Sequence, residues 1–247
     1  MTNLGLPDGI RACLFDMDGV LTQTATVHAA AWKETFDAFL RRRDGAGFRP
    51  FDAVGDYDEY VDGKPRADGV RSFLASRGIT LPEGDDDPPG PDTVRSLGDR
   101  KNALVLEKIK EMGVHAYPGS VRYAEAARAA GLRRAVVSSS ANCHDVLVAA
   151  GIDDLFEVRI DGIVATEQHL PGKPAPDTFL AAARALGVPP EEATVFEDAL
   201  AGMEAGRAGA FGFVVGVDRA GQAEALRRHG ADVVVEDLAE LLEEEAS

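Results

Sequence analysis

Short apolar runs alternate with amphipathic segments through the second half of the chain. Four runs rich in valine or phenylalanine are predicted strands: 134–139, 194–197, 211–218 and 232–237. Alanine-rich stretches at 120–131 and 177–187 lie between them, and each closes on a glycine, a residue that commonly ends a helix. This alternation predicts a parallel sheet with helices on both faces.

The first half of the chain has a different pattern. Residues 10–15 form an apolar run that predicts one more buried strand of the same sheet. The following pattern is mainly helical, with predicted helices at 27–45, 68–78 and 100–113. We therefore predict an α/β core formed by residues 1–25 and 114–247, with a helical domain inserted at 26–113.

Composition and charge argue against some classes of function. The chain has 247 residues, 45% of them hydrophobic, and a formal net charge of −16 from 26 basic and 42 acidic residues. This charge argues against nucleic-acid and anionic-membrane partners. Cys13 and Cys143 have neither metal-type spacing nor a disulfide pattern, and no signal-peptide or membrane-spanning run is evident. We expect a monomeric cytoplasmic protein.

Two acidic segments are interpreted as solvated. The first is the loop 82–92, where Asp85, Asp86 and Asp87 stand among prolines and glycines without the spacing of a metal site. The second is the tail at 236–247, which predicts a last helix with an acidic end.

Polar and charged residues stand at the ends of four predicted elements. They are Asp16 and Asp18 after the run at 10–15, Ser138 in 136-VVSSSANC-143, Lys173 in 172-GKPAPD-177, and Glu197 with Asp198 in 195-VFEDALAG-202. In an open parallel sheet, ligands bind beyond the carboxyl ends of the strands. We therefore expect these side chains to share one site.

Each motif alone has an ordinary structural interpretation: a turn after a strand, a serine N-cap, a surface lysine, or acids that stabilise a helix N-terminus. Together they indicate a site for a hard cation and a phosphate. Carboxylates can hold Mg²⁺, while a serine hydroxyl and a lysine ammonium can hold phosphate oxygens. One aspartate can attack phosphorus, and the other can transfer the proton of a hydroxyl.

The order DMDGV, VVSSS, GKPAPD and FEDALAG resembles the haloacid dehalogenase superfamily of phosphohydrolases and phosphomutases. The resemblance implies a Rossmann-like core with a helical cap. It implies these roles: Asp16 as nucleophile, Asp18 as general acid/base, Ser138 and Lys173 as phosphoryl ligands, and Asp16, Glu197, Asp198 and the main-chain carbonyl of Asp18 as Mg²⁺ ligands. An aspartate two positions after the nucleophile resembles the phosphotransferase branch rather than the dehalogenases.

Within the superfamily, 24-TATVHAAAWK-33 and 62-DGKPRADG-69 resemble the cap of the β-phosphoglucomutase subgroup. The resemblance adds these candidate substrate-binding residues: Thr24, His28, Trp32, Gly63, Lys64, Arg66, Ser139, Ser140 and Asn142. Packing of the inserted domain is an alternative interpretation of His28 and Trp32, which stand four residues apart on one helical face.

Two positions depart from the pattern of that subgroup. Ala141 and Asp62 stand where a lysine is expected, and Lys64 could replace one of them. The resemblance implies interconversion of β-glucose 1-phosphate and glucose 6-phosphate through the 1,6-bisphosphate. A sugar-phosphate phosphatase with the same residues is the first alternative, and a catalytically silent binding module on the same fold is the second.

Overall fold

The structure is a computed structural model, and it describes residues 4–86 and 90–242. The chain forms two compact units. The core unit comprises the described residues up to Gln23 and from Val114 onward, and the helical unit is Thr24–Gly113.

The core unit is built on a six-stranded sheet in which every neighbouring pair is parallel. Its strands are β1 Ala12–Phe15, β2 Arg133–Val137, β3 Val158–Ile160, β4 Ala193–Glu197, β5 Phe213–Val217 and β6 Val233–Val235. They lie in the order β3-β2-β1-β4-β5-β6, so the first strand of the chain is central. The predicted parallel sheet is confirmed.

Six helices connect these strands: α4 Pro118–Ala129, α5 Cys143–Ala150, α6 Gly162–Glu167, α7 Asp177–Leu186, α8 Leu200–Ala208 and α9 Ala223–His229. Ala12 and Leu14 of β1 pack with Phe179 of α7 on one face of the sheet. On the other face, Phe15 stacks on Phe196 of β4 at 4.6 Å between ring centroids. Because side chains alternate along a strand, β1 is buried on both faces, as a central parallel strand requires.

The helical unit contains α1 Ala25–Asp44, α2 Arg66–Ser76 and α3 Val94–Met112, with a π-helical turn at Tyr57–Val61. Its core is aromatic: Phe36 lies 4.2 Å from Phe73 and 5.0 Å from Trp32, measured between ring centroids. The side chain of Thr93 accepts a hydrogen bond from the backbone of Ser96, and this capping box fixes the start of α3.

Several predicted boundaries were wrong. Strand β2 ends at Val137, so Ser138 and Ser139 follow the strand instead of closing it. Strand β3 was not predicted from the sequence pattern, and α3 begins at Val94 instead of residue 100. In the predicted terminal helix, the described residues form only a 3₁₀ turn at Leu238–Leu241, and residues 243–247 lie outside the described part.

Asp85 and Asp86 of the acidic loop are exposed, whereas Asp87 lies outside the described residues. Within the described ranges, no helix combines the length and the apolar composition needed to cross a bilayer.

Candidate active site

Three neighbouring strands of the core unit bring polar side chains to one edge of the sheet. Asp16 directly follows β1, Ser138 directly follows β2, and Glu197 is the last residue of β4. Phe15 pairs with Val136 on one side and with Phe196 on the other. The backbone N–H of Asp16 extends this ladder by donating to the carbonyl of Phe196 at 2.9 Å. Strand register therefore places Asp16 beside Glu197.

Lys173 joins the two strand ends. Its ammonium group contacts the carboxylates of Asp16 and Glu197 and lies 3.3 Å from the carbonyl oxygen of Val137. The Lys173 side chain is only 1% exposed, and its ammonium also lies 4.9 Å from the ring centroid of Phe179. Lys173 lies in the loop before α7, and its peptide bond to Pro174 is cis.

Burial and charge set the protonation behaviour of this cluster. Burial, together with the charges of Glu197 and Asp18, raises the pKa of Asp16 well above its ordinary value, although the ammonium of Lys173 opposes the shift. Burial alone would lower the pKa of Lys173, but Asp16 and Glu197 outweigh it and the pKa is raised. Lys173 is therefore a permanent positive charge in the site.

Three buried carboxylates can hold a cation. Asp16, Glu197 and Asp198 each offer an oxygen, and the three oxygens lie within 4.8 Å of one another. Carboxylate oxygens are the ligands that Mg²⁺ prefers, so the donor set fits this ion. The Asp18 carboxylate is not among this group, and the main-chain carbonyl of Asp18 stays a predicted ligand.

Glu197 also shapes the turn that carries Asp198. One of its oxygens accepts hydrogen bonds from the backbone N–H groups of Asp198 at 3.0 Å and Ala199 at 2.9 Å. Gly202 lies against the other oxygen of this carboxylate, and an added Cβ at Gly202 would lie 1.9 Å from Glu197 Oε1. The glycine of the FEDALAG motif thus leaves the space that Glu197 fills.

A tight turn carries Asp18 away from β1. The backbone N–H of Gly19 donates to the carbonyl of Thr22 at 2.8 Å, and the N–H of Thr22 donates to the carbonyl of Met17 at 2.9 Å. Gly19 has φ +91°, and a Cβ there would lie 1.7 Å from Asp198 Oδ2. Only glycine fits this position. Asp18 is half-buried, whereas Asp16 is buried.

The loop after β2 is held by its own serines. Ser138 Oγ accepts the N–H of Ser140 at 3.1 Å, and Ser140 Oγ accepts the N–H of Asn142 at 3.1 Å. The carbonyl of Ser140 also accepts the N–H of Gly162 at 3.1 Å. Ser138 is buried, and its N–H donates to the carbonyl of Ile160 in β3 at 3.0 Å, while Ser139, Ser140 and Asn142 are half-buried. These contacts fix the course of the backbone through the loop.

In the helical unit, sequence reasoning missed Lys101. Its buried ammonium lies 2.9 Å from His28 Nδ1 and 4.9 Å from the ring centroid of Trp32. Thr24 is buried at the start of α1, and its carbonyl accepts the N–H of His28 at 3.0 Å. Lys101 was missed because a lone lysine in a helical run looks like a surface residue.

The candidate substrate-binding residues Gly63 and Lys64 have hydrogen-bond partners inside the helical unit. Lys64 Nζ donates to the Glu59 carbonyl and to Ser72 Oγ, each at 3.1 Å. Gly63, with φ +69°, donates its N–H to the Asp62 carboxylate at 3.1 Å.

Arg66 is also engaged within this unit. Its Nη1 donates to the carbonyl of Gly98 at 3.3 Å and lies 3.6 Å from Asp99 Oδ1. Burial lowers the pKa of Arg66, although the charge of Asp99 opposes the shift.

Comparisons with known proteins show what this chain is similar to. A sequence profile described as haloacid dehalogenase-like hydrolase matches residues 10–209. Two proteins named beta-phosphoglucomutase, from Mycobacterium bovis and Mycobacterium tuberculosis, are each 57% identical over 97% of this chain and 94% of their own. The crystal structure of beta-phosphoglucomutase from Clostridium difficile superposes with a TM-score of 0.73 and 26% identity, covering 94% of this chain and 93% of that one.

Proposed function

Because the chain belongs to the haloacid dehalogenase-like hydrolase family and to its β-phosphoglucomutase-like subgroup, we propose that it interconverts β-D-glucose 1-phosphate and glucose 6-phosphate. One observation carries the choice of reaction: the 57% identity with two beta-phosphoglucomutases extends over 97% of this chain. The silent binding module is rejected, because the chain is an enzyme of this family.

Asp16 is the proposed nucleophile. A carboxylate oxygen of Asp16 forms a bond to phosphorus while the bond between phosphorus and the sugar oxygen breaks, giving an aspartyl-phosphate. Asp18 donates the proton that the leaving sugar oxygen requires, and takes a proton from the hydroxyl that attacks in the return step. The half-buried position of Asp18 supports this role, because a proton-transfer group must reach the sugar hydroxyl.

Lys173 and Ser138 are the proposed ligands of the transferring phosphoryl group. Lys173 keeps its positive charge in a buried site, where charge acts more strongly on a phosphate than it does in water. We propose Mg²⁺ as the cofactor, held by the Asp16, Glu197 and Asp198 carboxylates and the main-chain carbonyl of Asp18. A bound Mg²⁺ would neutralise charge on the phosphoryl oxygens.

The mutase reaction also needs groups that hold a second phosphate and exclude water. For the second phosphate we propose Arg66, supported by Ser139, Ser140 and Asn142, with Thr24, His28, Trp32, Gly63 and Lys64 contributing to substrate binding. If water reached the aspartyl-phosphate, the same residues would make a phosphatase. Ala141 and Asp62 favour this second candidate, since neither supplies the positive charge expected there, and Lys64 is engaged by Glu59 and Ser72.

Product analysis separates the two candidates. The purified protein is given β-glucose 1-phosphate, Mg²⁺ and a trace of β-glucose 1,6-bisphosphate, and glucose 6-phosphate and free phosphate are followed in parallel. The mutase proposal predicts glucose 6-phosphate without free phosphate. Free phosphate and glucose without glucose 6-phosphate would establish the phosphatase and overturn the mutase. As a control, Asp16→Asn should give neither product.

A further inference from the structure

The loop between β5 and α9 contacts the turns that follow β1 and β4. Its start is fixed by Asp218, whose carboxylate accepts the backbone N–H groups of Ala220, Gln222 and Ala223 at 3.2, 2.8 and 3.0 Å. This ring of hydrogen bonds holds the loop in one conformation. The loop can therefore serve as a rigid support for whatever its side chains contact.

Arg219 connects this loop to the turn that carries Asp18. Its Nε donates to the carbonyl oxygen of Gly19 at 2.8 Å, across the intervening strand β4. Its Nη1 donates to the carbonyl of Glu236 at 2.6 Å, and the guanidinium lies 3.6 Å from the ring centroid of Tyr117. Its Nη1 also lies 3.9 Å from Asp237 Oδ2, and these contacts together leave the Arg219 side chain 18% exposed and fix its orientation.

Gln222 makes the parallel contact to the other turn. Its Nε2 donates to the main-chain carbonyl of Asp198 at 3.2 Å. One loop thus holds the backbone beside Asp18 through Arg219 and the backbone of Asp198 through Gln222.

The turns after β1 and β4 are in direct contact with each other. A Cβ at Gly19 would lie 1.7 Å from Asp198 Oδ2, so the backbone of Gly19 lies directly against that carboxylate. The carbonyl of Gly19 belongs to the peptide between Gly19 and Val20, and rotation of this peptide would displace Gly19 and, with it, Asp18, the preceding residue of the turn. The contact from Arg219 opposes this rotation because a charged donor makes a stronger hydrogen bond than a neutral one.

We infer that Arg219 is a positioning residue, which holds the turn after β1 so that Asp18 can transfer its proton. This inference rests on the proposed function of Asp18. It predicts a specific pattern: loss of Arg219 impairs phosphoryl transfer from a sugar phosphate, whose leaving oxygen needs a proton. Transfer from acetyl phosphate is spared, because acetate leaves without one.

The test compares the two donors by rapid quench and intact-protein mass. β-Glucose 1,6-bisphosphate and acetyl phosphate are mixed in turn with the wild-type protein, Arg219→Ala, Arg219→Lys and Asp18→Asn, and formation of the phosphorylated protein is timed. For Arg219→Ala we expect about a tenfold slower transfer from the bisphosphate, because small misplacements of catalytic groups have effects of this size or larger. Transfer from acetyl phosphate should change less than twofold. Arg219→Lys should recover part of the loss.

The variant Asp18→Asn distinguishes a failure of the inference about Arg219 from a failure of the proposed function of Asp18. Suppose that Asp18→Asn slows transfer from the bisphosphate but not from acetyl phosphate. If Arg219→Ala then slows transfer from both donors equally, or from neither, the inference about Arg219 is wrong while the proposed function stands. If Asp18→Asn changes the rates of transfer from the two donors equally, Asp18 does not transfer the proton, and the inference about Arg219 is wrong as well.

A matched arginine provides the control for surface charge. Arg207 lies in the same unit, has a side chain 71% exposed, and its closest acidic oxygen, Asp232 Oδ1, is 3.8 Å away. Arg207→Ala should match the wild type with both donors. In ¹⁵N NMR spectra, Arg219→Ala should shift the amide signals of Asp18 and Gly19, and Arg207→Ala should not. Unshifted signals in Arg219→Ala would overturn the inference.

Discussion

The ammonium of Lys173 and the carboxylate of Glu197 form an ion pair closed to solvent, with side-chain exposures of 1% and 0%. The same ammonium contacts Asp16. A buried positive charge between two carboxylates lets both remain in the core near phosphate-binding groups. This relationship links the stability of the core unit to its proposed chemistry.

The substitution Lys173→Met should lower both the stability of the core unit and its catalytic activity. It leaves two buried carboxylates without their cation, so the free energy of unfolding should fall by roughly 3 kcal/mol in urea denaturation. Turnover of β-glucose 1-phosphate should fall by about a hundredfold, as expected for loss of one preorganised group that stabilises phosphoryl charge.

The double variant Lys173→Met/Glu197→Gln distinguishes the two effects. Removing one of the unpaired charges should restore part of the lost stability. Because Glu197 is itself a proposed Mg²⁺ ligand, the activity of the double variant is compared with that of Glu197→Gln alone and should be lower. If the double variant were as active as Glu197→Gln, Lys173 would have only a structural role.

Gly202→Ala should displace the Glu197 carboxylate. A methyl group at this position would lie 1.9 Å from Glu197 Oε1, so the carboxylate must leave its place beside Lys173 and the backbone of Ala199. We expect turnover to fall about tenfold or more, since the geometry of the carboxylate cluster is lost. The measurement is kcat with saturating Mg²⁺.

Gly206→Ala is the matched control in the same helix. The added methyl would lie 3.3 Å from the Val214 methyl groups, a contact that small shifts can relieve. Both variants gain about 1 kcal/mol of helix propensity, so propensity cannot explain a difference between them. Wild-type turnover by Gly202→Ala would show that the position of Glu197 does not matter.

Asp58 should make the helical unit less stable as the pH rises. Burial, with a smaller contribution from the charge of Asp52, raises the pKa of Asp58 from 3.8 to about 6. Below the lower value the carboxyl is protonated in both the folded and the unfolded protein, and it has no effect on stability. Between the two values the folded protein binds the proton more tightly, and above the upper value the folded protein bears the full cost of ionisation.

Asp58→Asn should therefore raise the unfolding temperature near neutral pH and have little effect near pH ~4. The fluorescence of Trp32, the single tryptophan, reports on this unit. Asp85→Asn, which alters an exposed carboxylate of the same unit, should follow the wild-type pH dependence. An Asp58→Asn curve parallel to the wild type would contradict the prediction.

The sheet and the strand-end cluster were predictable because apolar periodicity and turn residues are local signals. Strand β1 reads as buried from its four residues alone, and the register of a parallel sheet then places Asp16 beside Glu197. Strand β3 was not predictable in the same way. It has three residues at the edge of the sheet, and the middle one is the exposed Arg159.

Contacts between distant segments left no signal in the sequence. Arg219 and Gly19 are 200 positions apart, and Lys101 and His28 are 73 apart. No spacing rule predicts such a pair, because the contact depends on how the loops and helices pack. Lys101 and Arg219 both resemble ordinary surface residues in the sequence, and only the folded chain shows their partners.

We propose that Asp16 carries the phosphoryl group. This role is tested by the mass of the protein after incubation with β-glucose 1,6-bisphosphate and Mg²⁺, followed by an acid quench. The wild-type protein should gain the mass of one phosphoryl group, mapped to the peptide that contains Asp16. Asp16→Asn should gain none while keeping its fold by circular dichroism. A phosphoryl group mapped to another residue, or wild-type turnover by Asp16→Asn, would contradict the claim.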